Sequence, residues 1–366
     1  MREGNEPAAR QWGGAPGGNY ARRPQRGGVQ PKALVWLLLV GLCGFVLSFS
    51  FSPTPSNASP GNASPAEQFT KGLDDCKNET GGPAHVVQSC TAAINSGKLS
   101  DNDQIGALNN RGIAYQNEGD FPHAIQDFTR VLSADPDHQE AINNRGALYM
   151  IQGDYDHSIV DYTKALQLNP DDPITIRNRC AAYFSKGDYA SAMQDCSHAL
   201  MLEPMNPAAL QMRGVLFYFR GDYKNALQDE KNAVNADSSD LYSMIWLYLA
   251  RVHYAQNSAK DSLDELSSNS ANLQMDWPWP VIQVYLGKAK AEDLPAQGSP
   301  AQGSADPQSA NDHVCEANFY LGERALIAAN TAEAQRDFQA ALSACTDKSN
   351  LEYRGSEVEL ARMAKK

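Results

Sequence analysis

Residues 139–172 read QEAINNRGALYMIQGDYDHSIVDYTKALQLNPDD, and the same grammar recurs on both sides of them. IGALNNRGIAYQNEGDFPHAIQDFTRVLSADPDH (105–138) precedes; PITIRNRCAAYFSKGDYASAMQDCSHALMLEPMN (173–206) and PAALQMRGVLFYFRGDYKNALQDEKNAVNADSSD (207–240) follow. Four blocks of 34 residues therefore run from Ile105 to Asp240. Within each block, small and apolar residues return at helical spacing, stop at a Gly-Asp pair and resume. One block is thus a helix–turn–helix hairpin. A single hairpin cannot bury its apolar face alone, so the four must stack. The expected fold is all-α, a superhelical solenoid of helical hairpins.

The columns give the reason each hairpin closes. Position eight holds Gly112, Gly146, Cys180 and Gly214, small enough for two helices to approach closely. Three residues on stand Tyr115, Tyr149, Tyr183 and Phe217, rings on the same helical face. Gly119-Asp120, Gly153-Asp154, Gly187-Asp188 and Gly221-Asp222 mark the turn: glycine takes a left-handed C-cap and aspartate caps the next helix. Small residues return at Ala124, Ser158, Ala192 and Ala226, and Pro136, Pro170 and Pro204 end the second helix. This pattern resembles the tetratricopeptide repeat, and the resemblance implies a solenoid that holds other proteins.

Position seven departs from the commonest form of that repeat. It holds Arg111, Arg145, Arg179 and Arg213, while the second helices carry Asp127, Asp161, Asp195 and Asp229 in step. Four such couples read as a structural ladder of charge-assisted pairs between helices. An anionic ligand site is the alternative.

Outside the blocks the composition changes. The net charge is −12, yet residues 1–32 carry six Arg or Lys against two Glu. A basic, Gly-rich tail on an acidic body argues against nucleic acid, which needs a basic footprint. Residues 33–51, ALVWLLLVGLCGFVLSFSF, are uncharged and 19 long, the reach of a helix across a hydrocarbon core about 30 Å thick. With arginines on its N-terminal side, this segment predicts a single-pass inner-membrane anchor, N-terminus cytoplasmic and body periplasmic. A signal peptide cleaved near Ser56-Asn57-Ala58, leaving a secreted body, is the alternative. Residues 52–66 read as a flexible linker, and 67–104 as a helical cap on the first repeat.

Six cysteines beyond Cys43 fall into local couples: Cys76 with Cys90, Cys180 with Cys196, Cys315 with Cys345. After an export segment, such an even count reads as a disulfide framework. Buried free thiols in a reducing cell are the alternative; CxxC spacing and nearby histidines, which a metal site would want, are missing.

Past the fourth block, residues 241–290 predict a degenerate hairpin and a short helix, 291–312 a low-complexity loop, and 313–364 a final hairpin with a closing helix. The order of Asn-Arg-Gly repeats, WLYLA, a tryptophan-led YLG and NFYLG is similar to the NlpI-like bacterial envelope proteins. The resemblance implies an all-helical, often dimeric adaptor that joins a periplasmic protease to peptidoglycan hydrolases. Those lipoproteins are anchored by an acylated cysteine, whereas this chain carries the apolar stretch.

The expected binding surface is the concave wall of first helices. Position five supplies Asn109, Asn143, Arg177 and Gln211; position six supplies Asn110, Asn144 and Asn178. Amides at this pitch suit an extended peptide backbone, or else brace neighbouring units. Farther along the wall becomes aromatic, with Phe184, Val215, Tyr218 and Phe219. The sequence contains no G-x-S-x-G, HExxH, P-loop or dinucleotide fingerprint, so neither an enzyme nor a cofactor is expected. Two functions follow: an adaptor recruiting envelope proteins through the groove, or a structural subunit of a fixed membrane complex dimerising through its C-terminal hairpins.

Overall fold

The Gly-Asp dipeptide organises every hairpin of the repeat region. Gly119, Gly153, Gly187 and Gly221 take positive φ of 79°, 76°, 88° and 76°. The next residue's N–H then reaches back five places, to the carbonyls of Tyr115, Tyr149, Tyr183 and Phe217, each at 2.9 Å. The same aspartates turn their carboxylates forward onto the amides of His123, His157, Ser191 and Asn225. One dipeptide closes a helix and opens the next, which fixes the hairpin geometry four times over.

A computed structural model describes residues 65–79, 81–255, 264, 268, 277–295, 307–346 and 350–365. Its fifteen α-helices are α1 (Pro65–Lys77), α2 (Pro83–Asn95), α3 (Asp101–Glu118), α4 (Phe121–Ala134), α5 (Gln139–Ile151), α6 (Tyr155–Leu168), α7 (Pro173–Lys186) and α8 (Tyr189–Leu202), then α9 (Pro207–Phe219), α10 (Tyr223–Ala236), α11 (Leu241–Tyr254), α12 (Trp279–Tyr285), α13 (Pro307–Ile327), α14 (Thr331–Ala344) and α15 (Leu351–Met363). No strand occurs among the described residues. Helices α3 to α10 pair as four successive hairpins, and each second helix also packs on the next first helix. The α1–α2 hairpin covers the free side of α3, and the α13–α14 hairpin carries α15 against it. Helix α3 begins at Asp101, capped by Ser100, four residues before the first block.

Close approach at position eight is real. A Cβ on Gly112 would stand 2.8 Å from the Phe128 ring, and one on Gly146 would stand 3.1 Å from that of Tyr162. Cys180 replaces glycine in the third hairpin and is bridged to Cys196, with Cα atoms 5.4 Å apart. Cys76–Cys90 and Cys315–Cys345 are bridged likewise, at 4.8 and 4.9 Å, within the range of about 4.4–6.8 Å that a disulfide spans. The hairpin of α13 and α14 regains the pattern: Gly322 meets the Phe338 ring sixteen residues on.

Each ladder arginine forks onto its aspartate with two bonds. Arg111 reaches Asp127 at 2.7 and 2.8 Å, Arg145 reaches Asp161 at 2.8 and 2.8 Å, Arg179 reaches Asp195 at 2.7 and 2.9 Å, and Arg213 reaches Asp229 at 2.7 and 2.8 Å. A third nitrogen of Arg111, Arg145 and Arg179 donates to Thr91, Thr129 and Thr163 of the preceding hairpin. The guanidinium groups also lie 5.8–5.9 Å from the centroids of the Tyr115, Tyr149, Tyr183 and Phe217 rings. The ladder therefore joins helices within a hairpin and hairpins to one another.

The membrane placement is corrected. Among the described residues no helix is long and apolar enough to cross a membrane. The longest, α13, has 21 residues but carries Asp312, Glu316, Glu323 and Arg324. The apolar stretch 33–51 itself lies outside the described residues, as do the tail 1–32, residues 52–64 of the linker and 296–306 of the loop.

Two measurements check this frame. Asp161→Ala should cost about 3 kcal/mol in equilibrium unfolding by stranding a half-buried guanidinium, and Arg145→Met in the same chain should restore part of it. Replacing Cys180 and Cys196 together by alanine should cost about 3 kcal/mol, the value for a closed loop of this size. Non-reducing mass spectrometry should find all three bridges in the wild type.

Candidate functional site

The wall of first helices, α3, α5, α7 and α9, divides into three parts with different chemistry. In the first part, the amides at position five reach forward to the opening of the next first helix. Asn109 Nδ2 donates to Glu140 at 2.9 Å, and Asn143 Oδ1 accepts from the Thr175 hydroxyl at 3.1 Å. Gln211 Nε2 does the same farther on, to Asp240 at 3.1 Å. Asn110 donates backward to the Cys76 carbonyl at 3.0 Å, which holds the α1–α2 cap in place. These amides brace stacked units. Asn144 and Asn178 are half-buried on the same wall.

Arg177 is the exception in its column. In the next first helix, Ala208 and Ala209 stand where the other units offer Glu140 and Thr175, and Asn206, at the place of Asp240, caps its own helix through Ala209 and donates to Glu203. The residue is only 7% exposed, and among the described residues its side chain makes one hydrogen bond, to the neighbouring Asn178 amide at 3.3 Å. No carboxylate forms an ion pair with it among the described residues; burial lowers its pKa, with Glu203, Tyr162 and Asp172 pulling the other way from a distance. A guanidinium with no ion pair among the described residues has donors to offer an anion or a carbonyl.

The aromatic part differs from the expected open groove. Phe184, Val215, Tyr218 and Phe219 are all buried, and α13 and α15 lie over Tyr218 and Phe219. The Tyr218 hydroxyl donates to Glu323 at 2.8 Å. Arg362 Nη2 donates to the Phe219 carbonyl at 3.2 Å, and a Cβ on Gly355 would stand 3.3 Å from the Phe219 ring. The physical cause is the hydrophobic effect: burying one such ring is worth about 1.5–3 kcal/mol, so the chain covers its own greasy wall.

Sequence reasoning missed the groups that do the covering. Glu316 accepts from Tyr242 at 2.9 Å and from Trp277 Nε1 at 2.6 Å; Glu323 accepts from Tyr218 and lies 3.2 Å from His253 Nε2. Glu352 accepts from the Tyr320 hydroxyl at 3.2 Å, and Glu359 pairs with Arg362. The available signal was spacing: Glu316 and Glu323, like Glu352 and Glu359, stand seven apart, on one helical face. Burial, and next the charge of Glu323, push Glu359 up to about 7. No group of three or more His, Cys, Asp or Glu is placed to hold a metal ion among the described residues.

The tetratricopeptide repeat model matches residues 106–138 and 140–172. Among solved structures, the chain is similar to a tetratricopeptide repeat protein from Parabacteroides merdae, with 16% identity and a TM-score of 0.49 over 80% of this chain and 98% of that one. The C-terminal part of a repeat-containing protein from Cytophaga hutchinsonii gives 15% identity and 0.49, over 79% and 98%. The MamA protein gives 18% and 0.45, over 48% of this chain and 99% of that one. No catalytic family is indicated. The chain therefore carries tetratricopeptide repeats, units of protein–protein interaction scaffolds, within an all-helical solenoid.

Proposed function

We propose that this protein is an adaptor that grips a partner peptide along the uncovered part of its first-helix wall, anchored at Arg177. The observation that carries the reading is that buried guanidinium with no carboxylate partner among the described residues. An acidic side chain or chain terminus of the partner supplies the missing acceptor, and the half-buried Asn144 and Asn178 amides lie on the same wall for its backbone. The resemblance to NlpI-like adaptors supports cell-envelope proteins as the partners. A structural subunit pairing through its C-terminal hairpins has less support, since α13 and α15 bury their faces against the same chain.

In-cell crosslinking of wild-type and Arg177→Leu proteins tests the reading. The variant should lose its specific partner roughly ten- to hundred-fold, the range for a hydrogen bond to a charged group. Its Tm should hold or rise, because an uncompensated buried charge has gone. An unchanged partner set in Arg177→Leu overturns the proposal.

A further inference from the structure

The helix that covers the aromatic wall is docked in an unusual way. All the fully buried residues of α15 are Glu352, Gly355, Ser356 and Glu359; its large apolar side chains, such as Leu351, Leu360 and Met363, are only half-buried. The neighbouring α14 buries Ala334, Phe338, Ala341 and Ala344 instead. Carboxyl groups and small residues form the seam of α15, so its attachment depends on polar contacts and not on apolar area alone.

We propose that α15 is a releasable latch over the aromatic wall, held closed through the carboxyl of Glu359 and opened by its ionisation. Glu359 is 2% exposed and pairs with Arg362 of its own helix. Burial, and next the charge of Glu323 on α13, disfavour its ionisation, while Arg362 and His253 of α11 favour it more weakly; Tyr218 of α9 and Tyr223 of α10 feel its charge. Arg362 ties the latch to the wall: it donates to the carbonyls of Phe219 at 3.2 Å and Tyr218 at 3.5 Å, the negative end of α9, and lies 5.9 Å from the Tyr223 ring centroid. Glu323 is fully buried and one of its oxygens, Oε1, has no hydrogen-bond partner among the described residues, so a second carboxylate beside it is unwelcome.

The sign follows. With α15 docked, Glu359 titrates at about 7, against 4.5 for the unperturbed carboxyl. The docked state thus holds its proton over a range where the released helix has lost it. Docking is fully favoured below that range and weakens as pH rises from 4.5 through 7. Release uncovers Phe219, whose ring centroid lies 6.2 Å from that of Phe184 and 6.1 Å from that of Tyr189. That this surface then takes a partner rests on the adaptor reading; the latch itself does not.

Hydrogen–deuterium exchange on the full chain, corrected for intrinsic rates, tests the latch at pH 5.5 and 8.5. Protection of residues 351–363 should fall at least tenfold at the higher pH, while α5 and α6 keep theirs. Glu359→Gln, which keeps an acceptor for Arg362 but cannot ionise, should stay protected at both. Equal wild-type protection at the two pH values overturns the proposal, as does a pH response that survives in Glu359→Gln. Should that variant fail to fold, the wild-type comparison decides alone. The adaptor reading fails separately, through an Arg177→Leu protein that keeps its partners.

Discussion

Everything in the solenoid depends on two helices touching at residues sixteen apart. Once the Gly-Asp turn is set, the eighth residue of a hairpin faces the twenty-fourth, and only a residue without a side chain, or one bonded across the gap, fits there. Phe128, Tyr162 and Phe338 fill the opposite place with rings against glycine, while Cys196 fills it with a bond to Cys180. The fourth hairpin uses Glu230 against Gly214, a carboxyl whose oxygens have no hydrogen-bond partner among the described residues and which burial pushes well above the usual carboxylate range. A carboxyl in a ring's place makes this the most polar closure of the five. It lies in the hairpin that also supplies Tyr218 and Phe219.

The ladder adds specificity to that contact. Ion pairs taken out of water regain little net stability over apolar residues of similar size, because desolvation opposes attraction. Their fork geometry is exacting, however, and here each arginine of the first three hairpins also holds a threonine of the unit before it. A hairpin shifted along its neighbour would strand both groups. The last hairpin abandons the device: Leu321 and Asp337 occupy the ladder places, and burial raises the Asp337 carboxyl. There, tyrosine, tryptophan and histidine are set against buried carboxylates instead.

That change of chemistry explains what could be read in advance. Turn, closure and ladder all join residues within one 34-residue block, so pattern alone exposed them, and the cysteine couples with them. The forward braces of Asn109, Asn143 and Gln211 could be read as a ligand row or as braces between units, because their partners sit a block away. The cover over Tyr218 and Phe219 was illegible, for the bonds that make it span 105 and 143 residues. Nothing periodic connects α9 to α15. The membrane expectation rested on 33–51, and the helices described carry too many charges to extend it.

The division of the wall then follows from what each part can tolerate in water. An amide at the surface loses little, so Asn144 and Asn178 can stand half-exposed. Aromatic rings cannot, and the chain lays its own helices on them. Arg177 stands between the two regimes: too deep to be hydrated freely, and lacking the acceptor its column provides elsewhere. At the head of α9, Asn206 is spent on capping its own helix and alanines follow where the other units carry Glu140 and Thr175. The sequence thus leaves one charged position on the wall uncompensated while it compensates every ladder arginine, and a protein-binding scaffold has a use for such a position.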